Sequence, residues 1–313
     1  MTDLVYAADL GGTNLRMAAV DQDGGLLHHV KKPLPKGVSP DELIGVVRDM
    51  TAECRDGVGE SGQFGAVAFT APAPVPSDFD GVLTKLPNLP SVTGMNLKTA
   101  LNDLLSLPVH IENDATAAAI GEHWIGAAQG VDNMICVTLG TGIGGGIIIN
   151  NEPIRGKDGT GGEIGHMTVV PDGPPCPCGS RGCVERYASA TAILAMARES
   201  GMQVESSADV YKAWESGSDL AEQVFAKVGY HLGIHFGGLI NALNPEMIVI
   251  AGGAAASFDA VFPHLDAEVR FRAYPAAAER AKIVRGQLGD DAGILGVARS
   301  AYLSMERGRL VLA

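Results

Sequence analysis

The sequence lacks a long hydrophobic run, a signal sequence and an excess of positive charge. No stretch approaches the ~18 consecutive apolar residues that a membrane-spanning helix needs. The N-terminus has no basic segment followed by a long apolar run, as a secretory signal peptide would have. Asp and Glu (36) outnumber Lys and Arg (23), and the net charge of -13 argues against a nucleic-acid partner, which calls for a basic patch. We therefore expect a cytoplasmic protein with no membrane or nucleic-acid partner.

Cysteine is also scarce, with five residues in the chain. Cys54 and Cys136 lie in apolar surroundings and are expected to be buried free thiols, which fits a reducing compartment. The phosphate-binding motif GxxxxGK[ST] is absent from the sequence. Residues 140–145 match the GxGxxG dinucleotide fingerprint, but a strand is predicted after them where that motif requires a helix. We therefore reject a Rossmann-type nucleotide site.

The length of 313 residues suggests about two domains, and 46% hydrophobic residues are enough for sizeable cores. Hydrophobic patterns and turn residues predict strands at 4–10, 15–20, 26–30, 64–70, 81–85, 108–111, 134–139, 147–150, 247–251 and 282–285. Helices are predicted at 40–55, 114–125, 188–199, 218–243, 258–272 and 290–304. Ser39 and Glu42 should form a capping box at the first helix. The helix 218–243 should pack closely on a neighbour through Gly229, Gly233, Gly237 and Gly238.

A compact cluster of metal-binding side chains lies between residues 161 and 187. It consists of His166, Cys176, Cys178 and Cys183. Thiolates and a neutral imidazole are the ligands that a tetrahedral structural zinc site prefers. A disulfide is disfavoured, because Cys176 and Cys178 are badly placed to bridge each other and three thiols cannot pair completely. Three unrelated buried thiols are the remaining alternative to a zinc site.

Two carboxylates, Glu163 and Glu185, bracket this cluster. We interpret the metal as holding a loop so that both carboxylates point into a sugar pocket and accept hydrogen bonds from neighbouring hydroxyls. Paired carboxylates are also typical of glycoside hydrolases. Hydrolysis does not need two phosphate-binding turns, however, and the sequence has two candidates for such turns.

The first candidate turn is Gly11-Gly12-Thr13 after Asp9, and the second is GTGIGGG at residues 140–146. Glycine lets backbone N–H groups approach a phosphate closely, and Asp9 could hold Mg²⁺ through water. A tight hairpin that merely requires glycine would explain one such turn. Because a similar glycine-rich turn follows a second apolar strand, we favour a duplicated phosphate-binding unit.

Asn113 and Asp114 end a predicted strand and begin a predicted helix. A helix N-terminus favours the charged form of a carboxylate, which suits a general base that takes a proton from a sugar hydroxyl. Asp is also a common N-cap residue. The segment alone does not separate these two roles of Asp114.

Six motifs, in this order, resemble those of the ROK family of sugar kinases and repressors, and most closely those of its bacterial glucokinases. They are DxGGTxxR from residue 9, ENDA from 112, GTGIGGG from 140, GGEIGH from 161, CxCGxxGCxE from 176 and NPxxIVIAGG from 244. The resemblance covers nearly the whole chain, and the cysteine motif is its most specific part.

The resemblance implies a two-domain α/β fold of the actin-like (ribonuclease H-like) ATPase type, with an interdomain cleft and a zinc-bound loop. It implies a small domain of residues 1–114 plus the C-terminal helix 291–313, and a large domain of residues 115–290 that carries the zinc loop. It also implies ATP and Mg²⁺ as cofactors, structural Zn²⁺ and a homodimer.

The resemblance further implies roles for individual residues, with Asp114 as the catalytic base. The implied sugar contacts are Asn88, Asn113, Asp114, Glu163, His166 and Glu185. The implied zinc ligands are His166, Cys176, Cys178 and Cys183, so that His166 would hold the metal with one nitrogen and the sugar with the other. The implied nucleotide contacts are Asp9, Gly11, Gly12, Thr13, Thr141, Gly142, Gly252 and Gly253. Ala73 stands where the resemblance implies glycine.

The expected reaction is ATP-dependent phosphorylation of a hexose, with glucose at O6 as the first candidate. N-acetylglucosamine, N-acetylmannosamine and mannose are alternative sugars, and polyphosphate is an alternative donor. A sugar-responsive repressor is disfavoured, because the first strand begins at about residue 4 and leaves no room for a helix-turn-helix. A sugar sensor without turnover is disfavoured, because Asp9, Asp114 and both turns are present.

Overall fold

The computed structural model describes residues 3–59, 62–76, 78–84, 86 and 89–310. Its contacts divide the chain into two compact units. The first unit comprises Met1–Gly126, Pro153–Gly161 and Asp291–Ala313, and the second comprises Ala127–Glu152 and Gly162–Asp290. The sequence-based division instead begins the large domain at residue 115, and that division stays a prediction.

The first unit is built on a five-stranded sheet with the order β3-β2-β1-β4-β5. Its strands are β1 (Asp3–Leu10), β2 (Asn14–Val20), β3 (Leu26–Pro33), β4 (Gln63–Ala71) and β5 (Val109–Asn113). Its helices are α1 (Pro40–Val58), α2 (Leu97–Leu105), α3 (Asp114–Trp124) and α10 (Ala292–Glu306). Strand β1 is antiparallel to β2 and parallel to β4, and β4 is parallel to β5.

The second unit is built on a five-stranded sheet with the order β10-β9-β6-β7-β8. Its strands are β6 (Met134–Leu139), β7 (Ile143–Ile149), β8 (Glu152–Pro153), β9 (Met247–Ala251) and β10 (Lys282–Arg285). Its helices are α4 (Glu185–Ala188), α5 (Ala190–Glu199), α6 (Ser207–Glu215), α7 (Asp219–Leu243), α8 (Phe258–Arg272) and α9 (Pro275–Arg280). Strand β6 is antiparallel to β7 and parallel to β9.

The two sheets have the same topology. The order β8-β7-β6-β9-β10 corresponds, strand for strand, to β3-β2-β1-β4-β5. In each sheet the central strand forms a hairpin with one neighbour and a parallel pair with the other. The predicted α/β class is confirmed, and so is the duplication of a strand–turn–strand unit.

Local signals located several elements correctly. Ser39 caps α1: its hydroxyl accepts the Glu42 N–H at 3.3 Å, and the Glu42 carboxylate accepts the Ser39 N–H at 2.8 Å. The predicted capping box is thus confirmed. Within the described residues no helix is long and apolar enough to cross a membrane. Cys54 and Cys136 are buried cysteines outside any disulfide, as predicted.

Other elements differ from the prediction. The described residues of 81–85 form only an isolated bridge, between Val82 and Asn96, instead of a strand. The predicted helix 188–199 corresponds to α5, which begins two residues later because Ser189 is extended (φ -72°, ψ 161°) and its hydroxyl caps α5 by accepting the Ala192 N–H. The short helix α4 that precedes it was not predicted. Helices α2, α6 and α9 were not predicted.

Glycines let α7 and α8 approach closely. A Cβ on Gly229 would lie 2.5 Å from His264 Cβ, and one on Gly233 would lie 2.3 Å from Glu268 Cβ. Gly237 is similar, since its Cβ would lie 3.0 Å from Arg272 Cβ. The predicted close packing is therefore confirmed at these three positions. It is wrong for Gly238, which faces open space.

Helix α7 also buries His235, which is 2% exposed and lies in the interior of the second unit. Neither ring nitrogen has a hydrogen-bond partner among the described residues. Burial lowers the pKa of His235 to about 4, because the charged imidazolium would lose its hydration there. The unfolded chain, with a His pKa of ~6.5, binds a proton at higher pH than the folded chain does.

We predict that replacing His235 by Leu reduces the loss of stability in acid. Because the folded pKa is depressed, the stability that neutral His235 preserves is present above about pH 6.5 and is lost as the pH falls towards about 4. The loss amounts to about 3 kcal/mol at pH 4, since one pKa unit corresponds to ~1.4 kcal/mol. Urea unfolding between pH 7 and pH 4 checks this. His29→Gln, at an exposed position of β3, should keep the wild-type pH dependence. An unchanged dependence in His235→Leu would contradict the prediction.

Candidate functional site

Parallel strands place the candidate residues of the first unit along one edge of its sheet. Asp9 in β1 is the register partner of Thr70 in β4, and Thr70 is the partner of Glu112 in β5. The carboxyl ends of these three strands therefore lie side by side. Both the turn after β1 and the start of α3 follow directly from this edge.

Asp9 is held by two neighbours at this edge. The Arg16 guanidinium donates to Asp9 Oδ2 with an Nε–O distance of 3.2 Å, and the Thr70 hydroxyl donates to Oδ1 at 2.6 Å. The Leu10 N–H in turn donates to the Thr70 hydroxyl at 3.3 Å. The carboxylate is thus fixed in orientation, as a group that holds Mg²⁺ through water would need to be.

The turn between β1 and β2 is exposed. The Gly11 N–H donates to the Asn14 carbonyl at 3.1 Å, which closes the turn. Gly12 and Thr13, between these two residues, are exposed. The Leu34 N–H donates to the Thr13 carbonyl at 2.8 Å, which anchors the turn to the segment after β3. Backbone in such a turn can approach a phosphate without steric hindrance.

Asn113, not Asp114, is the N-cap of α3. The Asn113 side-chain oxygen accepts the Thr116 N–H at 3.0 Å, and its Nδ2 donates to the Ala73 carbonyl at 3.2 Å and to Asp114 Oδ1 at 3.1 Å. Asp114 is the first residue of the helix, is exposed, and accepts the Ala115 N–H at 2.8 Å. Because Asn113 already caps the helix, capping does not account for an acidic residue at position 114.

A partly buried ion pair joins the residue before these two, Glu112, to Arg155. Glu112 is 1% exposed and accepts hydrogen bonds from the Arg155 guanidinium, which comes from the segment Pro153–Gly161. The Ser300 hydroxyl donates to Glu112 Oε2 at 3.2 Å, and the Asn113 N–H donates to Oε1 at 3.1 Å. The pair therefore fixes the end of β5 from which Asn113 and Asp114 project. Sequence reasoning assigned no role to Arg155, Ser300 or Thr70.

The structure bears differently on Asn88, an implied sugar contact, and on Ala73, which stands where the resemblance implies glycine. Asn88 lies outside the described residues, so its predicted sugar contact stays a prediction. Ala73 is 4% exposed, and its carbonyl receives the Asn113 amide described above. The backbone at position 73 is therefore engaged with the start of α3 although the residue is not glycine.

In the second unit, the glycine-rich turn predicted at residues 140–146 is shorter than predicted. Strand β7 begins at Ile143, so Gly144, Gly145 and Gly146 belong to the strand and not to the turn. A Cβ on Gly145 would lie 2.3 Å from the Ile164 side chain and 2.6 Å from the Gly162 carbonyl. Gly145 therefore makes room for the loop that starts at residue 162. The turn itself is Gly140-Thr141-Gly142, closed by the Gly140 N–H on the Gly142 carbonyl at 2.9 Å.

The glycines predicted to lie near adenosine neighbour this turn. Gly252 follows β9, which is parallel to β6, and its φ of +83° requires glycine. A Cβ on Gly252 would lie 2.6 Å from the Leu139 carbonyl, immediately before the turn. The second unit thus places Gly252 against Leu139, the residue immediately before the turn 140–142, at the same edge of its sheet.

The four predicted metal ligands converge. One ligand atom from each of His166, Cys176, Cys178 and Cys183 lies within 4.8 Å of all the others. The Cys178 and Cys183 sulfur atoms are 3.7 Å apart, and Cys176 Sγ is 3.6 Å from His166 Nδ1. A tetrahedral zinc with Zn–S bonds of ~2.3 Å and Zn–N bonds of ~2.0 Å separates its ligand atoms by about 3.5–3.8 Å. The donor set and its spacing therefore fit a zinc ion.

The loop backbone holds these ligands in place. Gly179 (φ +97°) and Gly182 (φ +65°) adopt the left-handed conformation, and a Cβ on Gly182 would lie 1.7 Å from the Val170 carbonyl. The Ser180 backbone N–H lowers the pKa of the Cys178 thiol and thus favours the thiolate. Burial, followed by the neighbouring thiols, raises the pKa of Cys183, and a bound cation would oppose this effect.

The two carboxylates of this loop have different surroundings. Glu163 Oε2 lies 3.9 Å from His166 Nε2, the ring nitrogen that does not face the cysteines. Glu185 begins α4, and its Oε2 accepts the Ile143 N–H at 2.9 Å. The second unit thus brings together the zinc ligands, both carboxylates and the turn 140–142. The first unit separately brings together Asp9, the turn 11–13, Asn113 and Asp114.

Known proteins resemble the chain over nearly its full length. A model of the ROK family matches residues 5–302. A glucokinase from Halalkalibacterium halodurans is 34% identical, over 98% of this chain and 99% of its own length. The crystal structure of a ROK family glucokinase from Streptomyces griseus, in complex with glucose and AMPPNP, is 30% identical and superimposes with a TM-score of 0.78, covering 96% of this chain and 99% of that one.

The relatives differ in activity. An N-acetyl-D-glucosamine kinase from Yersinia pseudotuberculosis is 27% identical, over 94% of this chain and 98% of its own length. A xylose repressor from Bacillus subtilis is 36% identical, over 65% of this chain and 53% of its own length. Similarity alone therefore does not separate these sugars or these two classes of protein.

We predict that the purified protein carries about one zinc per chain, because the four ligand atoms fit a tetrahedral site. Replacing the exposed Cys178 by Ala should remove most of the metal and lower the thermal midpoint. Cys54→Ala, outside the cluster, should keep the metal content. Inductively coupled plasma mass spectrometry measures the zinc. Equal zinc in both variants would contradict the assignment.

We predict that Arg155→Met destabilises the fold by about 3 kcal/mol, because it leaves the buried Glu112 carboxylate without its guanidinium. Adding Glu112→Gln should recover part of the loss, since the remaining buried group is then uncharged. Urea unfolding of the single and double variants measures this coupling. Arg48→Met, which breaks an exposed ion pair with Asp49, should cost at most about 0.5 kcal/mol. Equal effects of the two Arg variants would contradict the role of Arg155.

Proposed function

Because the chain belongs to the ROK family, we propose that it is a sugar kinase that transfers the γ-phosphoryl group of ATP to a hexose, with D-glucose as the preferred acceptor. Two observations together carry the proposal. Asp114 is not the N-cap of α3, and a glycine turn follows the central strand in both sheets, which have the same topology. A sugar-binding protein without turnover would need neither a base nor a second phosphate turn.

Asp114 is proposed as the general base. It accepts a proton from the sugar hydroxyl as that oxygen attacks the γ-phosphorus, and the bond from phosphorus to the bridging oxygen of ADP breaks. The helix N-terminus stabilises the charged carboxylate before transfer. Asn113, held by the Ala73 carbonyl and by Asp114, is placed to orient a neighbouring hydroxyl.

The zinc loop is proposed to supply the remaining sugar contacts. Glu163, His166 and Glu185 would accept or donate hydrogen bonds to hydroxyls of the ring. Zinc, bound by His166 and the three cysteines, would fix the loop and the tautomer of His166. This arrangement supports a pocket that recognises several hydroxyls at once, as a hexose requires.

The phosphate side is proposed to involve both turns. Gly11, Gly12 and Thr13 would face phosphate oxygens through backbone N–H groups and the Thr13 hydroxyl, and Thr141 and Gly142 would do the same from the second turn. Mg²⁺, held through water by Asp9, would neutralise charge that develops on the phosphates. Gly252 and Gly253 leave space beside the second turn for adenosine.

N-acetylglucosamine, N-acetylmannosamine and mannose are the alternative acceptors, and the N-acetyl-D-glucosamine kinase among the relatives supports keeping the first of them. A repressor is the second class, supported by the xylose repressor, which matches only part of its own length. A homodimer stays a prediction of the family resemblance, and a cytoplasmic location stays a prediction from the sequence.

The proposal predicts ADP release with Mg-ATP and a sugar, highest for glucose among glucose, mannose, fructose, N-acetylglucosamine and N-acetylmannosamine. Asp114→Asn should lower kcat by about 10²–10⁴-fold and leave sugar binding largely intact, because it removes only the base. Asp219→Asn offers a matched control, since Asp219 is also an exposed first residue of a helix that another residue caps. A coupled ADP assay measures turnover.

Three results would contradict parts of the proposal. Near-normal turnover in Asp114→Asn would exclude that residue as the base. Preference for an N-acetyl sugar would retain the kinase and change the acceptor. No ADP release with any of the five sugars would exclude an ATP-dependent kinase for these hexoses.

A further inference from the structure

The carboxylate of Glu185 contacts the second phosphate turn. Its Oε2 atom accepts the backbone N–H of Ile143, the first residue after the turn, at 2.9 Å. The same oxygen lies 2.4 Å from the position of a Cβ on Gly142, so any larger residue there would displace it. A side chain at position 142 and the observed position of the Glu185 carboxylate are therefore mutually exclusive.

Two further hydrogen bonds join the same two segments. The Ala190 N–H donates to the Gly140 carbonyl at 2.8 Å, and the Thr191 hydroxyl donates to the Thr141 carbonyl at 2.8 Å. With Glu185, these bonds reach the turn at Gly140, Thr141 and the residue after Gly142. The beginning of α4 and the beginning of α5 therefore hold the whole turn.

The same helix start is tied to the metal cluster. Cys183 lies two residues before Glu185, and its carbonyl accepts the Arg186 N–H at 2.9 Å. The Val184 N–H donates to the Met167 carbonyl at 3.0 Å, next to His166. A Cβ on Gly165 would lie 2.0 Å from the Ile143 carbonyl, so the loop also packs directly on β7. Zinc loop, helix start and turn form one continuous hydrogen-bonded and packed structure.

We propose that Glu185 is a positioning residue for nucleotide binding, in addition to its proposed contact with the sugar. One carboxylate oxygen fixes the phosphate turn 140–142, and the other is directed to a sugar hydroxyl. Within the described part of the chain, Oε1 is assigned no partner, which agrees with this division of the two oxygens. The inference rests on the proposed kinase function, because it gives the turn a nucleotide phosphate to bind.

This role explains why a carboxylate, and not a neutral hydroxyl group, stands at the start of α4. A charged acceptor forms a stronger hydrogen bond with a backbone N–H than a neutral one does. It also has a second oxygen for a second partner. The turn would thus keep the shape that a phosphate requires before any nucleotide arrives, which reduces the ordering cost of binding.

Calorimetric titration with Mg-AMPPNP in the absence of sugar tests this role. Glu185→Ala should weaken nucleotide binding about tenfold, as expected for the loss of a charge-assisted hydrogen bond. Glu163→Ala is the matched control, because Glu163 belongs to the same loop and has no assigned contact with the turn among the described residues. It should weaken sugar binding and leave nucleotide affinity within about twofold of wild type. Glu185→Gln should restore part of the nucleotide affinity, since its amide oxygen can accept the Ile143 N–H but carries no charge.

The zinc content and thermal midpoint of each variant are also measured, so that unfolding of the metal-binding loop would be detected. If Glu185→Ala loses zinc or unfolds, Glu185→Gln and Glu163→Ala decide the question. Wild-type nucleotide affinity in Glu185→Ala would overturn the inference, and so would equal weakening in Glu163→Ala or no recovery in Glu185→Gln. If the wild-type protein binds no Mg-AMPPNP, the proposed function fails as well, and this result is distinct from the other three.

Discussion

The parallel pairing of a central strand with one neighbour is the constraint on which the candidate site of each unit depends. Because β1 runs parallel to β4 and β4 to β5, the carboxyl ends of these strands meet at one edge. Asp9 and Asn113 lie in these ends, and Asp114 follows β5 directly. The parallel pair β6 and β9 likewise brings the turn 140–142 beside Gly252. The antiparallel hairpin on the other side of each central strand then supplies a tight glycine turn at the same edge. A single arrangement used twice therefore provides two surfaces rich in backbone N–H groups.

Each candidate site is reinforced by groups that hold neighbouring residues in place. In the first unit, the partly buried pair of Glu112 and Arg155 holds the end of β5. In the second unit, the four residues that could hold a metal ion lie in a loop that has little regular secondary structure of its own. Ionic and metal–ligand interactions are directional, so they fix the positions of nearby side chains more closely than apolar packing does. The ion pair and the four possible metal ligands both adjoin residues that we propose to bind the substrates or to take part in catalysis.

The sequence predicted those parts of the structure that local patterns determine. The cluster of three cysteines and one histidine, the cap at Ser39 and the strand before Gly11 all depend on neighbours in the chain. Thr70 and Arg155 were missed because their partners, Asp9 and Glu112, are far away in sequence and meet them only in the folded protein. The run Gly144–Gly146 was assigned to the turn because glycine spacing cannot distinguish a phosphate contact from close packing. The position of Ile164 against Gly145 settles that distinction in favour of packing.

The discontinuity of the first unit has a consequence for the order in which the protein is made. Helix α10 lies near the end of the chain, yet a Cβ on Gly296 would lie 1.6 Å from the Ala117 carbonyl, and the Tyr302 hydroxyl donates to the Val20 carbonyl at 2.8 Å. On the ribosome, the first 126 residues emerge long before the helix that completes their core. The nascent N-terminal sheet must therefore wait, with one face uncovered, while the second unit is synthesised and can already fold. This interval is the period in which a chaperone would find exposed apolar surface to bind.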